Sequence, residues 1–197
     1  MKMPNLTMPD SPNFSCGPTR KPDGWEVKKL NQQFLGRYHR SDDVMEYVEG
    51  IVSRIKKILN IPQEYELIIT PGSTTCAMEA VIWSFLGENE ITTIVYDYWA
   101  DLWAYDLKKL KLKVDLRLSL NGTMPSLKNI PRKNDIFFVW TGTSTGMSVN
   151  NCDFIKNSQE GLVISDITYA VFIYDIPWRK LDISASSWQQ ALGGESQ

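Results

Sequence analysis

An α/β fold built on a mostly parallel sheet, with helices on both faces, is the class this sequence predicts, and three observations carry the prediction. At least four apolar runs of strand length, at 67–69, 92–96, 135–140 and 162–165, are bounded by turn residues. Helical patterns or long polar connections separate them, the alternation that lets parallel strands cross over. The helical patterns also carry their own start and stop signals.

Residues 1–11 are polar and proline-rich and read as a disordered leader; everything from residue 12 onward reads as one domain. Asn13-Phe14-Ser15-Cys16-Gly17-Pro18-Thr19 is a loop by its Gly-Pro punctuation. Next, Arg37-Tyr38-His39-Arg40 sets the only histidine beside two arginines, just before a helix capped by Ser41 with Asp42 and Asp43 in its first turn. Val44, Tyr47, Val48, Ile51, Val52, Ile55, Ile58 and Leu59 keep helical spacing, and Pro62 stops the run. Two readings of His39 and Arg40 stand here. They pair with the acidic first turn, or the guanidinium fork takes a carboxylate or phosphate.

The next joint is the most informative. Leu67-Ile68-Ile69 reads as a buried strand, Pro71-Gly72 breaks it, and Ser73-Thr74-Thr75 open a helix that continues through Met78, Val81, Ile82, Phe85 and Leu86. A helix mouth lined by hydroxyls presents unpaired N–H groups where the dipole favours an anion, so the joint is either a phosphate cup or a plain crossover with Ser73 as its cap. Residues 92–96 then form a buried strand, and residues 97–103 the loop and helix start after it, with Trp99 and Trp103 as core or as a ring-stacking platform.

Residues 114–118 alternate like a half-buried strand, Asn121-Gly122 turns the chain, and residues 125–134 are a polar connection. The apolar strand at 135–140 runs into Thr141-Gly142-Thr143-Ser144-Thr145-Gly146, a flexible hydrogen-bonding loop by composition. Leu162-Val163-Ile164-Ser165 is the following strand and ends in Asp166, placed either to cap the next segment or to face a ligand at the strands' carboxyl ends.

Composition narrows the function classes. A net charge of −2 offers no basic face for nucleic acid or an anionic membrane, and the lysines at 108, 109, 111 and 113 suit an exposed helix end. Three widely spaced cysteines and one histidine support neither a disulfide framework nor a metal site. No run approaches the roughly eighteen apolar residues of a membrane span and no signal-like segment opens the chain, so a cytosolic protein is expected.

In their order along the chain these landmarks resemble phosphoserine aminotransferases, fold-type-I enzymes of class V that depend on pyridoxal 5′-phosphate (PLP). The resemblance rests on the N-F-S-x-G-P loop at 13–18, His39-Arg40, the hydroxyl-lined helix start, the aromatic after the 92–96 strand, the Gly-Thr-Ser loop, Asp166, and Ser187-Trp188-Gln189-Gln190-Ala191-Leu192-Gly193-Gly194-Glu195. It covers residues 12–197 and implies a truncated large domain of that fold, lacking a C-terminal strand and the small domain.

The resemblance also implies roles. Thr74 and Thr75 would hold the PLP phosphate, Trp99 would stack on the pyridine ring, and Thr143 would meet its phenolic oxygen. Asp166 would pair with the ring nitrogen, Gln189 would lie along the phosphate or ring edge, and His39 with Arg40 would grip the substrate. The implied reaction moves an amino group between glutamate and 3-phosphohydroxypyruvate, a phosphorylated 2-oxo acid, in serine biosynthesis, within a homodimer. One position departs from the pattern: Gln190 stands where the family has its Schiff-base lysine. An amide nitrogen is neither basic nor nucleophilic, so covalent attachment of PLP and turnover by this chain are not expected.

Overall fold

Residues 21–119 and 122–194 are described in the structure, a computed structural model. The expected leader over 1–11, the loop at 13–18 with Cys16, Asn121 of the expected turn, and Glu195 lie outside them. After two 3-10 turns at Val27–Lys29 and Gln32–Phe34 come α1 (Asp42–Ile58) and α2 (Thr74–Phe85), followed by β1 (Ile91–Val95), α3 (Tyr98–Lys109) and β2 (Val114–Leu118). It continues through β3 (Asp135–Val139), a two-rung hairpin of β4 (Thr141–Gly142) and β5 (Met147–Ser148), β6 (Val163–Asp166), β7 (Ile183–Ala185) and α4 (Trp188–Leu192).

Every residue of β1, β3 and β6 is buried, which is why these segments read as unbroken apolar runs: a strand covered on both faces has no polar side to alternate. The five main strands lie in the order β2-β1-β3-β6-β7, and all four pairings are parallel. Register sets Ile91 opposite both Val114 and Asp135, and sets Val139 and Ala185 on either side of Asp166. The strands therefore finish level, and the connections leaving β1, β3, β6 and β7 emerge on one edge.

Alternate residues divide between two cores. Ile91, Val95, Phe137, Val139 and Ile164 meet Met78 and Ile82 of α2 and Trp103 and Leu107 of α3. Ile94, Tyr96, Ile136, Phe138 and Trp140 form the other core, covered chiefly by connecting segments that supply Ile130, Val149, Ile155, Val171 and Leu181, with Leu59 packed against it from the end of α1. Both faces are thus covered, one by helices and the other mostly by loops. Among the described residues no helix is long and apolar enough to cross a membrane.

Two expectations fail here. Leu67-Ile68-Ile69 is neither strand nor buried: Ile68 is 78 % and Ile69 45 % exposed. The sheet ends at β7, so residues 66–70 have no neighbouring strand with which to satisfy their backbone groups, and an apolar run without a ladder partner stays irregular. The 141–146 loop, read as flexible, is instead an ordered hairpin, with the N–H groups of Thr145 and Gly146 on the Gly142 carbonyl at 3.3 and 2.8 Å. The helix after Ser41 is present as expected, but no residue of α1 is buried. β7, three residues long, carried no periodic signal and was not expected.

Close approach makes one glycine indispensable and another dispensable. A Cβ on Gly161 would lie 2.1 Å from the Asn134 carbonyl oxygen and 2.7 Å from the Asp135 nitrogen, backbone atoms at the entrance to β3. Gly50 sits inside α1 with open space around it. In urea unfolding, Gly161→Ala is expected to destabilise by about 1–3 kcal/mol, and Gly50→Ala to stabilise by up to about 1 kcal/mol.

Candidate functional site

The edge where the strands finish is built from four segments, and each is aimed by a local interaction. At the end of β1, Asp97 Oδ1 accepts the Ala100 N–H at 2.9 Å and so starts α3, which fixes Trp99 in the first turn at 42 % exposure. The Tyr98 N–H donates to Ser144 Oγ at 2.9 Å, tying the hairpin turn to that helix start. A Cβ on Gly142 would lie 2.5 Å from the Asp97 Cβ, so only glycine lets β4 cross the carboxylate. Thr143 follows directly, exposed in the turn beside the same helix start.

Asp166 closes β6 and is buried at 8 % exposure, with Oδ1 accepting the Thr168 N–H at 3.0 Å. Burial pushes its carboxyl above the ordinary value; the Thr168 hydroxyl and N–H pull it back, while the nearby Asp97 charge adds to the rise. The Trp103 indole N–H makes no hydrogen bond of good geometry, yet lies close enough to favour the Asp166 anion slightly. Among the described residues, the influences on Asp166 are burial, Thr168, Asp97 and Trp103. The Thr168 and Thr74 hydroxyls are 2.8 Å apart, so the mouth of α2 is tied to the Asp166 corner.

At that mouth Ser73 Oγ accepts the Thr75 N–H at 3.2 Å, the capping reading of the sequence, and Gly72 turns the chain at φ 92°. One of the helix's free donors is therefore occupied. Thr75 is exposed and Thr74 half-buried. Gln189 and Gln190, both half-buried, lie in α4, the short helix that follows β7. Gly193 ends that helix in the left-handed region at φ 64°, and the Lys21 ammonium donates to its carbonyl.

The structure thus gathers Thr74, Trp99, Thr143 and Asp166 on one sheet edge, with Gln189 and Gln190 entering from β7. His39 and Arg40 are not gathered there. His39 stands edge-on to Tyr38 at 5.2 Å, and among the described residues no hydrogen bond or ion pair ties either residue to the strand ends. Nor does the acidic first turn claim Arg40: the Ser41 hydroxyl is the main influence holding the Asp43 carboxyl below its ordinary value, with a smaller share from Arg37. Sequence reasoning passed over Asp97 and Ser144. An aspartate between a buried strand and a helix start is an N-cap signal that marks the first; nothing marks the second.

Among the described residues no group of three metal-ligating side chains exists. Burial pushes the Cys152 thiol up to about 12, so it is no thiolate nucleophile near neutrality.

No protein-family model matches the chain. The phosphoserine aminotransferase of Methanosarcina mazei is 42 % identical over 191 residues, 95 % of this chain and 51 % of that protein. The chain is a relative of the phosphoserine aminotransferases. It spans about half the length of the curated relatives it matches. Among solved structures, a phosphoserine aminotransferase from Cytophaga hutchinsonii superposes with a TM-score of 0.76 at 20 % identity, over 86 % of this chain and 48 % of that one. The PLP-bound phosphoserine aminotransferase of Trichomonas vaginalis gives 0.72 at 15 % identity, over 93 % and 55 %. The parallel α/β sheet is therefore the fold of these fold-type-I aminotransferases, matched over about half of their chains.

Asp166 provides a test in the free protein. Its raised value means that the folded chain keeps a proton the unfolded chain has lost, so this group's contribution to stability declines as pH rises from the ordinary carboxylate range through the folded value. Asp166→Asn keeps the Oδ1 acceptor and removes the buried charge. Its urea midpoint is expected to exceed that of the unaltered chain near neutral pH, with the gap closing towards about pH 4.

Proposed function

We propose that this chain is the cofactor-holding portion of a phosphoserine-aminotransferase-type protein, binding PLP non-covalently and not transaminating by itself. One observation supports the reading: Asp166 is an acid buried at a strand's carboxyl end whose carboxyl is raised by burial, with Asp97 adding to the rise; the resemblance implies that Gln190 stands where an amine is expected. A buried carboxylate of that kind fits a protonated ring nitrogen, which would supply the missing positive charge and restore the anion. When bound, PLP supplies an electron sink for bond cleavage at the Cα of an amino acid.

The residues of this chain divide the work of holding it. Thr74 and Thr75, with the remaining free N–H groups of α2, would bind the phosphate. Trp99 would cover one ring face, Thr143 would offer its hydroxyl to the phenolic oxygen, Asp166 would keep the proton on the ring nitrogen, and Gln189 would border the site. His39 and Arg40 would hold the carboxylate or phosphate of glutamate or 3-phosphohydroxypyruvate, the substrates of the serine-biosynthetic reaction, once a homodimer brings them to a strand edge. A cytoplasmic setting agrees with PLP-dependent serine synthesis. Gln190 cannot take a proton or form a covalent link, and general acid–base help alone is worth roughly 10²- to 10⁴-fold in rate.

Titration of the chain with PLP, followed by tryptophan fluorescence, tests the binding. Saturable quenching is expected, weakened at least tenfold by Trp99→Ala or Asp166→Ala. After borohydride treatment and denaturation, all cofactor should leave the unaltered chain and remain attached to Gln190→Lys. Retained label on the unaltered chain, or glutamate-dependent consumption of 3-phosphohydroxypyruvate above buffer, would refute the reading.

A further inference from the structure

The corner where β6 meets the mouth of α2 is held by one side chain with two duties. Thr168, buried at 8 % exposure, donates its backbone N–H to Asp166 Oδ1 at 3.0 Å, and its hydroxyl oxygen stands 2.8 Å from that of Thr74. Thr168 therefore touches both the buried acid and the hydroxyl-lined helix start. Its hydroxyl favours the Asp166 anion, whereas Thr74 is not among the groups that act on that carboxyl directly.

A threonine hydroxyl has one proton to give and two lone pairs with which to accept. An ionised carboxylate can only accept, so beside a charged Asp166 the Thr168 proton is committed to the carboxylate. The contact with Thr74 then has one direction: Thr74 donates and Thr168 accepts. Each bond strengthens the next, because an oxygen that gives its proton to an anion becomes the better acceptor. Protonation of Asp166 removes that demand and frees the two hydroxyls to turn. The other ionisable groups coupled to Asp166 are Asp97 and Tyr96, both at the end of β1, and burial holds the Tyr96 phenol far above its ordinary value. Asp97 gives one oxygen to the Ala100 N–H and the Tyr96 hydroxyl donates to the Trp140 carbonyl at 2.8 Å, so the threonine pair answers to Asp166.

We propose that Thr168 is a positioning residue that couples the two ends of the candidate site, its hydroxyl giving its proton to ionised Asp166 and taking that of Thr74. The Thr74 hydroxyl is then turned inward and serves as no donor to a phosphate. That task falls to the Thr75 hydroxyl and to backbone N–H groups of α2, that of Thr74 included. The role rests on the reading of Asp166 and Thr74 as parts of one cofactor site, while the ordering of the hydroxyls belongs to the free chain.

The test is accordingly run without PLP. The full chain, isotope-labelled at the aspartate carboxyl carbons, is titrated by NMR, with the Asp166 signal assigned by its loss in Asp166→Asn. Thr168→Val is expected to lower the Asp166 ionisation constant at least about fivefold, and Thr168→Ser to leave it nearly unchanged. Thr74→Val should lower it roughly twofold in the unaltered chain. In the Thr168→Val background the same change should do nothing, because the bond it removes acts through Thr168. An unmoved constant in Thr168→Val, or an equal effect of Thr74→Val in both backgrounds, overturns the proposal. Should Thr168→Val not fold, Thr74→Val against Thr74→Ser decides: a shift in the first alone supports the coupling, and equal behaviour of the two overturns it. Failure of PLP to bind would overturn the functional reading and leave the Asp166 shifts standing.

Discussion

The parallel register of β1, β3 and β6 is the constraint on which the rest of this molecule depends. Because Ile91 pairs with Asp135 and Val139 with Asp166, the strands end at a common level, and the residues that follow them share one edge. A slip of one residue in β6 would move Asp166 to the other face of the sheet, away from Asp97 and Trp103. The ladder is deeply buried, so its backbone bonds have no water to exchange with, and the placement of Asp166 is as firm as the core itself.

Around that frame the site is assembled from short polar contacts rather than from apolar packing. Asp97 starts α3 and lies under Gly142, Ser144 holds the first backbone N–H of the helix, and Thr168 links Asp166 to Thr74. The Asp97 charge adds to the rise of the buried Asp166 carboxyl, so the Asp166 anion costs stability above the ordinary carboxylate range. Gln190, half-buried in α4, brings an amide without basicity to the segment that follows β7.

Legibility in the sequence followed burial. The strand at 135–139 was readable because each residue is covered on both sides, and α2 and α3 because apolar spacing and capping residues agree. β7 was invisible: Ile-Ser-Ala is too short to set a period. The hairpin after β3 was read as loose because Thr, Ser and Gly carry no packing signal, although their hydroxyls and carbonyls make the turn. Thr74, Trp99, Thr143 and Asp166 come from four separate segments, and only the resemblance to a family, not any local pattern, implied that they converge. His39 and Arg40 lie in the turn before α1, a helix with no fully buried residue, where among the described residues no hydrogen bond or ion pair ties them to the strand ends.

The failure at Leu67-Ile68-Ile69 is the instructive one, because the pattern and the structure are both self-consistent. An apolar run bounded by Pro71-Gly72 describes a strand that would be buried in a sheet, and the fold supplies an open sheet edge across a cleft from it. That same edge strand, β7, leads through Ser186 and Ser187 into α4, which carries Gln189 and Gln190. A three-residue strand paired on one side only is the weakest support in the sheet, so α4 with Gln189 and Gln190 follows the strand least secured by backbone pairing.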